Sequence, residues 1–354
     1  MEATTMDSPL EVEREETLES ADPATVISRG NDKRMMVVSG RATQALAGRI
    51  ASRLGVGLSP VTLKTFSNGE VYCRFEESVR GADVFIVQST CGNDAAGISA
   101  NDSLMELMVM IDAAVGASAH RVIAVSPWYG YSRQDKKSAP REPITARLVA
   151  KMLEVAGVDR VLTMDLHAGQ VQGFFSKPVD HMTAMPILSQ YIIDQHVPGD
   201  CVVVSPDAGR VKLAKKFASK IGAELAILNK DRPAHQVAEI GYVIGDVRGK
   251  TAILVDDMID TAGTLCAAAQ TVADEGASRV MAVATHPVLS GNSFENLENS
   301  PLESIVVTDT IPLRDGAPGK IKVLTVADIL TDSIRRIFTD DSVSEIFAGE
   351  NQLF

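Results

Sequence analysis

Cysteine is scarce: Cys73, Cys91, Cys201 and Cys266 are the only four, and no two are close enough to form a CxxC pair. A disulfide scaffold and a structural zinc site are both excluded as organising principles, and the thiols read as reduced and mostly buried. No apolar run is long enough to span a bilayer, so a membrane protein is not expected. Basic excess is also missing. The formal net charge is −12, which repels polyanions, and no local basic patch offers a nucleic-acid surface. The N-terminus has no apolar core after a basic start, so no secretory signal is expected, and a cytoplasmic location is.

What is present is a chain of 354 residues, 45% hydrophobic and 23% charged, too long for one hydrophobic core and with the composition of a soluble globular protein. Residues 1–33 are acidic, with Glu11, Glu13, Glu15, Glu16 and Glu19 close together, and are expected to be a disordered extension. Beyond them, β-branched runs alternate with alanine-rich helical stretches. Arg34–Ser39 precedes a helix over Ala42–Leu54, and Asp83–Ser89 precedes one near Ser103–Val115. An arginine leads into buried strands at Arg121–Ser126, Arg160–Met164 and Arg279–Ala284. Cys201–Ser205, Glu224–Leu228, Thr251–Val255 and Ser304–Thr308 predict a second sheet. The boundary is placed near Val179, giving domains over 34–179 and 180–330, with a helix and tail over 331–354 that packs back on the first domain. In such sheets the loops at the carboxyl ends of strands hold ligands.

The sharpest run is Val255-Asp256-Asp257-Met258-Ile259-Asp260-Thr261-Ala262-Gly263-Thr264, between an apolar strand and the helix Leu265–Asp274. Helix N-terminal amides, small Ala262 and Gly263, and the hydroxyls of Thr261 and Thr264 make a phosphate cradle. Asp256 and Asp257 would repel that phosphate, but suit neighbouring sugar hydroxyls. A shorter run would read equally well as an ordinary helix cap. The ten residues together resemble the phosphoribosyl diphosphate loop of type I phosphoribosyltransferases and of the ribose-phosphate diphosphokinases, and the rest of the chain from about residue 35 resembles the latter, in their phosphate-activated bacterial-type class.

That resemblance implies a fold of two tandem phosphoribosyltransferase-like domains, each a mostly parallel sheet flanked by helices. It implies transfer of a diphosphate from ATP to ribose 5-phosphate, with Mg2+ as the cofactor. Phe66-Ser67-Asn68-Gly69-Glu70 resembles the adenine loop, where Phe66 offers a stacking face and Asn68 and Glu70 offer donors and acceptors. Arg133, Gln134 and Lys136 lie in a segment that resembles one meeting ATP across a subunit contact, and two of them are cations suited to phosphate. Asp165-Leu166-His167-Ala168-Gly169 resembles the diphosphate loop. His167 and Asp207 match metal positions, with Asp165 a further candidate. Leu228-Asn229-Lys230-Asp231-Arg232-Pro233 resembles the start of the flexible catalytic loop, which implies catalytic roles for Lys230 and Arg232 and, for Arg232, contact with ribose 5-phosphate. Ser78, Arg80, Ser342 and Ser344 match an anion site between subunits, which implies inorganic phosphate and ADP as effectors and a homohexamer. Two departures stand out: Ser138–Pro143 replaces a basic run and carries Glu142, and Arg210 stands where some relatives have a second glycine. A phosphoribosyltransferase needs no ATP loop or second α/β half, and a silent regulatory relative would lack the cations Lys230 and Arg232.

Overall fold

The computed structural model describes residues 33–195, 200–231 and 240–347. Residues 34–354 cluster as one unit. The acidic arm up to residue 32 and the tail from residue 348 lie outside the described residues. The first sheet is built from β1 (Arg34–Ser39), which leads to helix α1 (Gln44–Leu54) and an antiparallel hairpin, β2 (Val61–Thr65) and β3 (Val71–Phe75). Then come β4 (Ala82–Val87), α2 (Ala100–Gly116), β5 (Arg121–Ser126), α3 (Thr145–Ala156), β6 (Arg160–Met164) and β7 (Val179–Met182). The sheet order is β1-β4-β5-β6-β7, all parallel. Its inner strands are near-continuous apolar runs because helices cover both faces. Helix α2 starts on a reciprocal cap: the Ser99 hydroxyl accepts from the Asp102 amide at 3.2 Å, and the Asp102 carboxylate accepts from the Ser99 amide at 2.8 Å.

The second half continues with α4 (Met185–Asp194), β8 (Cys201–Ser205), α5 (Val211–Ile221), β9 (Glu224–Asp231), β10 (Ile240–Ile244) and β11 (Thr251–Ile259). It ends with α6 (Gly263–Asp274), β12 (Arg279–Pro287), α7 (Ser293–Glu298), β13 (Ser304–Thr308), β14 (Ile321–Leu324) and α8 (Ala327–Thr339). The sheet order is β10-β9-β8-β11-β12-β13-β14, parallel except for β10. One apolar core joins the facing sides of the two sheets: Phe85, Ile123 and Leu162 from the first share it with Val203, Ile253 and Val283 from the second, through α1, α4, α5 and α8. Separate cores fill the outer faces, under α2 and α3 on one side and α6 and α7 on the other. The α/β reading with mostly parallel sheets therefore holds.

Several boundaries differ from the sequence reading, each for a tertiary reason. Strand β7 carries no strand signal in the sequence, because Asp180 and His181 interrupt its apolar pattern. It adds to β6, and the inferred boundary at 179/180 falls inside it. Strand β9 runs three residues past Leu228 because β10 pairs with it, Lys230 opposite Gly241. Strand β11 runs to Ile259, beside a longer β12, so Asp256 and Asp257 are strand residues. Helix α8 begins at Ala327, four residues before the expected start, and packs on α1 by burying Leu330, Ile334 and Ile337. Each such aliphatic side chain contributes roughly 1.5–3 kcal/mol, and an Arg53–Asp328 ion pair joins the same two helices.

Candidate active site

Three strand ends, β6, β8 and β11, converge on a cavity of about 570 Å³ between the sheets. At the end of β6 the chain turns through Asp165 at φ 36°, a conformation that costs an L residue about 1–3 kcal/mol. Two donors hold it there: the Ala184 amide at 2.8 Å and the Thr285 hydroxyl at 2.7 Å, both on Oδ2. Its Oδ1 is buried and has no hydrogen-bond partner. Two histidines that the sequence does not single out support this turn. His286 is fully buried and places Nε2 3.2 Å from both the Met164 and Asp165 carbonyls, while Nδ1 meets the Thr310 hydroxyl at 2.9 Å. The ring of Trp128 lies 4.8 Å away. Burial lowers the pKa of His286. His181 accepts the Leu166 amide on Nε2 at 2.8 Å.

Burial pulls the His181 pKa from 6.5 down to about 4. Between those values the unfolded chain binds a proton that the folded chain refuses, so stability is lost as pH falls through that window. The loss is at most about 3 kcal/mol. Urea denaturation of the protein and of His181→Gln at pH 7 and pH 4.5 is expected to show a smaller acid loss in the variant, and identical losses would contradict this.

At the end of β8, Asp207 caps a short turn: its Oδ1 accepts the amides of Gly209 at 2.8 Å and Arg210 at 3.1 Å. This aims Arg210 into the cavity. Its Nε lies 3.1 Å from Asp256 Oδ1, and its Nη2 lies 2.8 Å from Asp257 Oδ1 and 2.6 Å from His167 Nδ1. His167 Nδ1 is also 2.9 Å from Asp257 Oδ2. The two adjacent carboxylates separate in character. Burial first, then the charge of Asp257, raises the pKa of Asp256 well above the usual range. Burial pushes Asp257 the same way, but the His167 hydrogen bond and the Arg210 charge together outweigh it and hold its pKa near about 2.

Past β11, Asp260 pairs with Arg133 and accepts from the Ser290 hydroxyl, so a first-half loop reaches the second-half turn. Ala262 sits in the left-handed region at φ 62° and starts α6 without a side-chain cap. Thr261, Gly263 and Thr264 are exposed there. A helix start of this kind leaves amides for an anion. Arg133, Lys136, Asp165, His167, Asp207, Asp256 and Asp257 line the cavity, whereas Asp260–Thr264 do not.

Other sequence-selected residues stand apart. Phe66, Asn68, Gly69 and Glu70 form the exposed tip of the β2–β3 hairpin, outside the cavity lining, with the Lys64 ammonium 5.1 Å from the Phe66 ring. Gln134 accepts from the Thr145 hydroxyl at 2.5 Å and does not line the cavity either. Glu142 accepts the amides of Ser138 and Ala139 at 2.7 and 2.9 Å, so the departing segment folds around it. Ser78 and Arg80 lie before β4, and Ser342 and Ser344 lie after α8 with their hydroxyls 2.8 Å apart; no hydrogen bond or ion pair joins the two pairs among the described residues. The backbone of Lys230 is part of β9, and Arg232 lies outside the described residues.

No cluster of three or more His, Cys, Asp or Glu side chains among the described residues could cage a metal. Magnesium does not require one, since it keeps waters and takes one or two carboxylates plus substrate phosphates. The unpartnered Asp165 Oδ1, together with Asp207 in the same cavity, fits that pattern. No helix among the described residues is long and apolar enough to cross a membrane.

Comparison with known proteins agrees along the chain. Residues 35–157 match the N-terminal domain of ribose phosphate pyrophosphokinase, and residues 226–348 match the phosphoribosyl synthetase-associated domain. The chain is 50% identical to a ribose-phosphate pyrophosphokinase of Caldanaerobacter subterraneus, covering 88% of this chain and 98% of the relative. It is 49% identical to one of Clostridium perfringens, covering 90% and 98%. The crystal structure of phosphoribosylpyrophosphate synthetase from Mycobacterium smegmatis superposes with a TM-score of 0.81 at 44% identity, covering 87% of this chain and all of that one. The chain belongs to the ribose-phosphate pyrophosphokinase family.

Proposed function

We propose that the protein transfers the β,γ-diphosphoryl group of ATP to the 1-hydroxyl of ribose 5-phosphate, giving 5-phosphoribosyl 1-diphosphate and AMP. The observation that carries this is the convergence in one cavity of anion-binding cations from the first half, Arg133 and Lys136, with the carboxylates Asp256 and Asp257 from the second. Ribose 5-phosphate docks its phosphate on Asp260–Thr264 at the start of α6, with Arg232 as a further contact, and its 2- and 3-hydroxyls on Asp256 and Asp257. The 1-hydroxyl is thereby oriented toward the β-phosphorus and attacks in line as AMP leaves. Arg133, Gln134 and Lys136 hold the ATP phosphates. Phe66, Asn68, Gly69 and Glu70 take the adenine; because that hairpin stands clear of the cavity in its own chain, it serves a neighbouring subunit. Lys230 and Arg232 neutralise charge on the bridging and leaving oxygens.

Asp207 and His167, with Asp165, would hold Mg2+, which supplies charge neutralisation on the diphosphate when bound. Inorganic phosphate and ADP act as effectors at Ser78, Arg80, Ser342 and Ser344, in a cytoplasmic homohexamer. Purified protein with ATP, Mg2+ and ribose 5-phosphate is expected to form AMP one-for-one with ribosyl diphosphate. ADP as the product, or consumption of the ribosyl diphosphate, would sink the proposal.

A further inference from the structure

The turn between β11 and α6, where the function proposed above docks the 5-phosphate, holds an unfavourable backbone. Ala262 sits at φ 62°, in the left-handed region that a residue with a Cβ disfavours. Two donors from one neighbouring segment, the loop after β12 and helix α7, reach this turn. The Asn296 side-chain amide donates through Nδ2 to the Thr261 carbonyl at 2.9 Å. A carbonyl only accepts, so the side chain must present its NH2 there. The Ser290 hydroxyl donates to the Asp260 carboxylate, whose other oxygen pairs with Arg133.

That segment can hold the turn because it is itself fixed. Leu297, the residue after Asn296, is fully buried in the core that also contains Ala262, Leu265 and Leu289. The Leu289 amide donates to the Ile259 carbonyl at 2.9 Å, and the Cys266 thiol donates to the Asn296 carbonyl at 3.3 Å. The peptide joining Thr261 to Ala262 is trans, so its C=O and N–H point in opposite directions. With the carbonyl drawn to α7, the Ala262 N–H is turned away from α7. A half-turn of this peptide would carry φ of Ala262 into the ordinary negative region and swing the N–H round to α7. The Asn296 bond opposes that relaxation.

We infer that Asn296 is a positioning residue for the phosphate of the sugar substrate: by gripping the Thr261 carbonyl it keeps the next amide, that of Ala262, aimed at the 5-phosphate. The inference rests on the proposed docking of that phosphate on Asp260–Thr264. The 5-phosphate is remote from the 1-hydroxyl that reacts, so the aimed amide supplies binding shared by ground state and transition state. Such binding is read in KM and leaves kcat alone.

Steady-state kinetics and calorimetry on the full-length protein test it. Asn296→Leu, which cannot donate, is expected to raise both KM and Kd for ribose 5-phosphate about tenfold, the low end of what one hydrogen bond to a charged group is worth. Its kcat and its KM for ATP are expected to change by less than about twofold. Adding Ala262→Gly to Asn296→Leu is expected to recover part of the loss, because glycine adopts positive φ without strain; a folding defect would not respond in this way. Asn296→Ser, too short to reach the carbonyl, carries the same expectation if Asn296→Leu folds poorly. An unchanged KM for ribose 5-phosphate, a fall in kcat with KM unmoved, or no recovery with the glycine overturns the role of Asn296 while leaving the docking site standing. Wild-type protein that binds ribose 5-phosphate no more tightly than ribose overturns the docking site and this inference with it.

Discussion

Lys230→Ala is expected to lower kcat for AMP release on the order of a thousandfold, because removing one preorganised charge at a developing oxyanion costs about 10²–10³ in turnover. Calorimetric affinity for ribose 5-phosphate is expected to change by less than about twofold, since Lys230 is assigned to the diphosphate and not to the sugar. The split follows from position. The backbone of Lys230 is fixed in a ladder opposite Gly241, so its Cα is held in the strand next to the edge of the second sheet while its charge is needed only when both substrates are present. Phosphoryl-type transfer requires little covalent chemistry from the protein, and its rate comes from placement and neutralisation. Weaker sugar binding with unchanged kcat in Lys230→Ala would contradict the role.

Strands carried by short, mostly apolar runs are legible in the sequence to the residue. Arg34–Ser39, Arg121–Ser126, Arg160–Met164, Cys201–Ser205 and Ser304–Thr308 are read with the bounds the structure has. Strands that depend on a neighbour are not. The continuation of β11 through Asp256 and Asp257 contradicts local propensity and exists because β12 extends alongside it. At the site, the types and spacing of Asp256, Asp257 and His167 are visible in the chain, but their convergence is not, since they come from strand ends 90 residues apart. Arg210 is visible as a departure, whereas its place between two carboxylates and an imidazole needs the fold. His181 and His286 leave no signal, because a buried histidine that satisfies backbone groups looks like any other histidine in sequence. Asp165 shows the same limit: its carboxylate grips Thr285, 120 residues away.

Asp257→Ala is expected to lower kcat/KM for ribose 5-phosphate by about a thousandfold, with a split that locates the cause. One part is metal affinity. Asp257 is the carboxylate that orients His167, and losing such a partner costs about 10–100-fold in metal binding. That part is expected to return as Mg2+ is raised. The other part, loss of an acceptor for a sugar hydroxyl, is not recoverable by metal and should remain as a raised KM at saturating Mg2+. Stability is expected to change less than is usual. Deleting one member of a buried ion pair commonly costs about 3–5 kcal/mol, but here a second carboxylate stands beside it. Arg210 keeps Asp256, 3.1 Å from its Nε, as a counter-ion, and the pKa of Asp256, which burial and the Asp257 charge hold up together, relaxes downward. Relief of the carboxylate repulsion offsets much of the attraction that Asp257 supplied to Arg210, so the urea midpoint should shift far less than a deleted buried pair predicts. A variant that loses activity and unfolds early would mean that the paired carboxylates serve the fold. One that loses activity with its midpoint nearly unchanged would mean that the protein bears their repulsion at the strand end for the sake of its substrates.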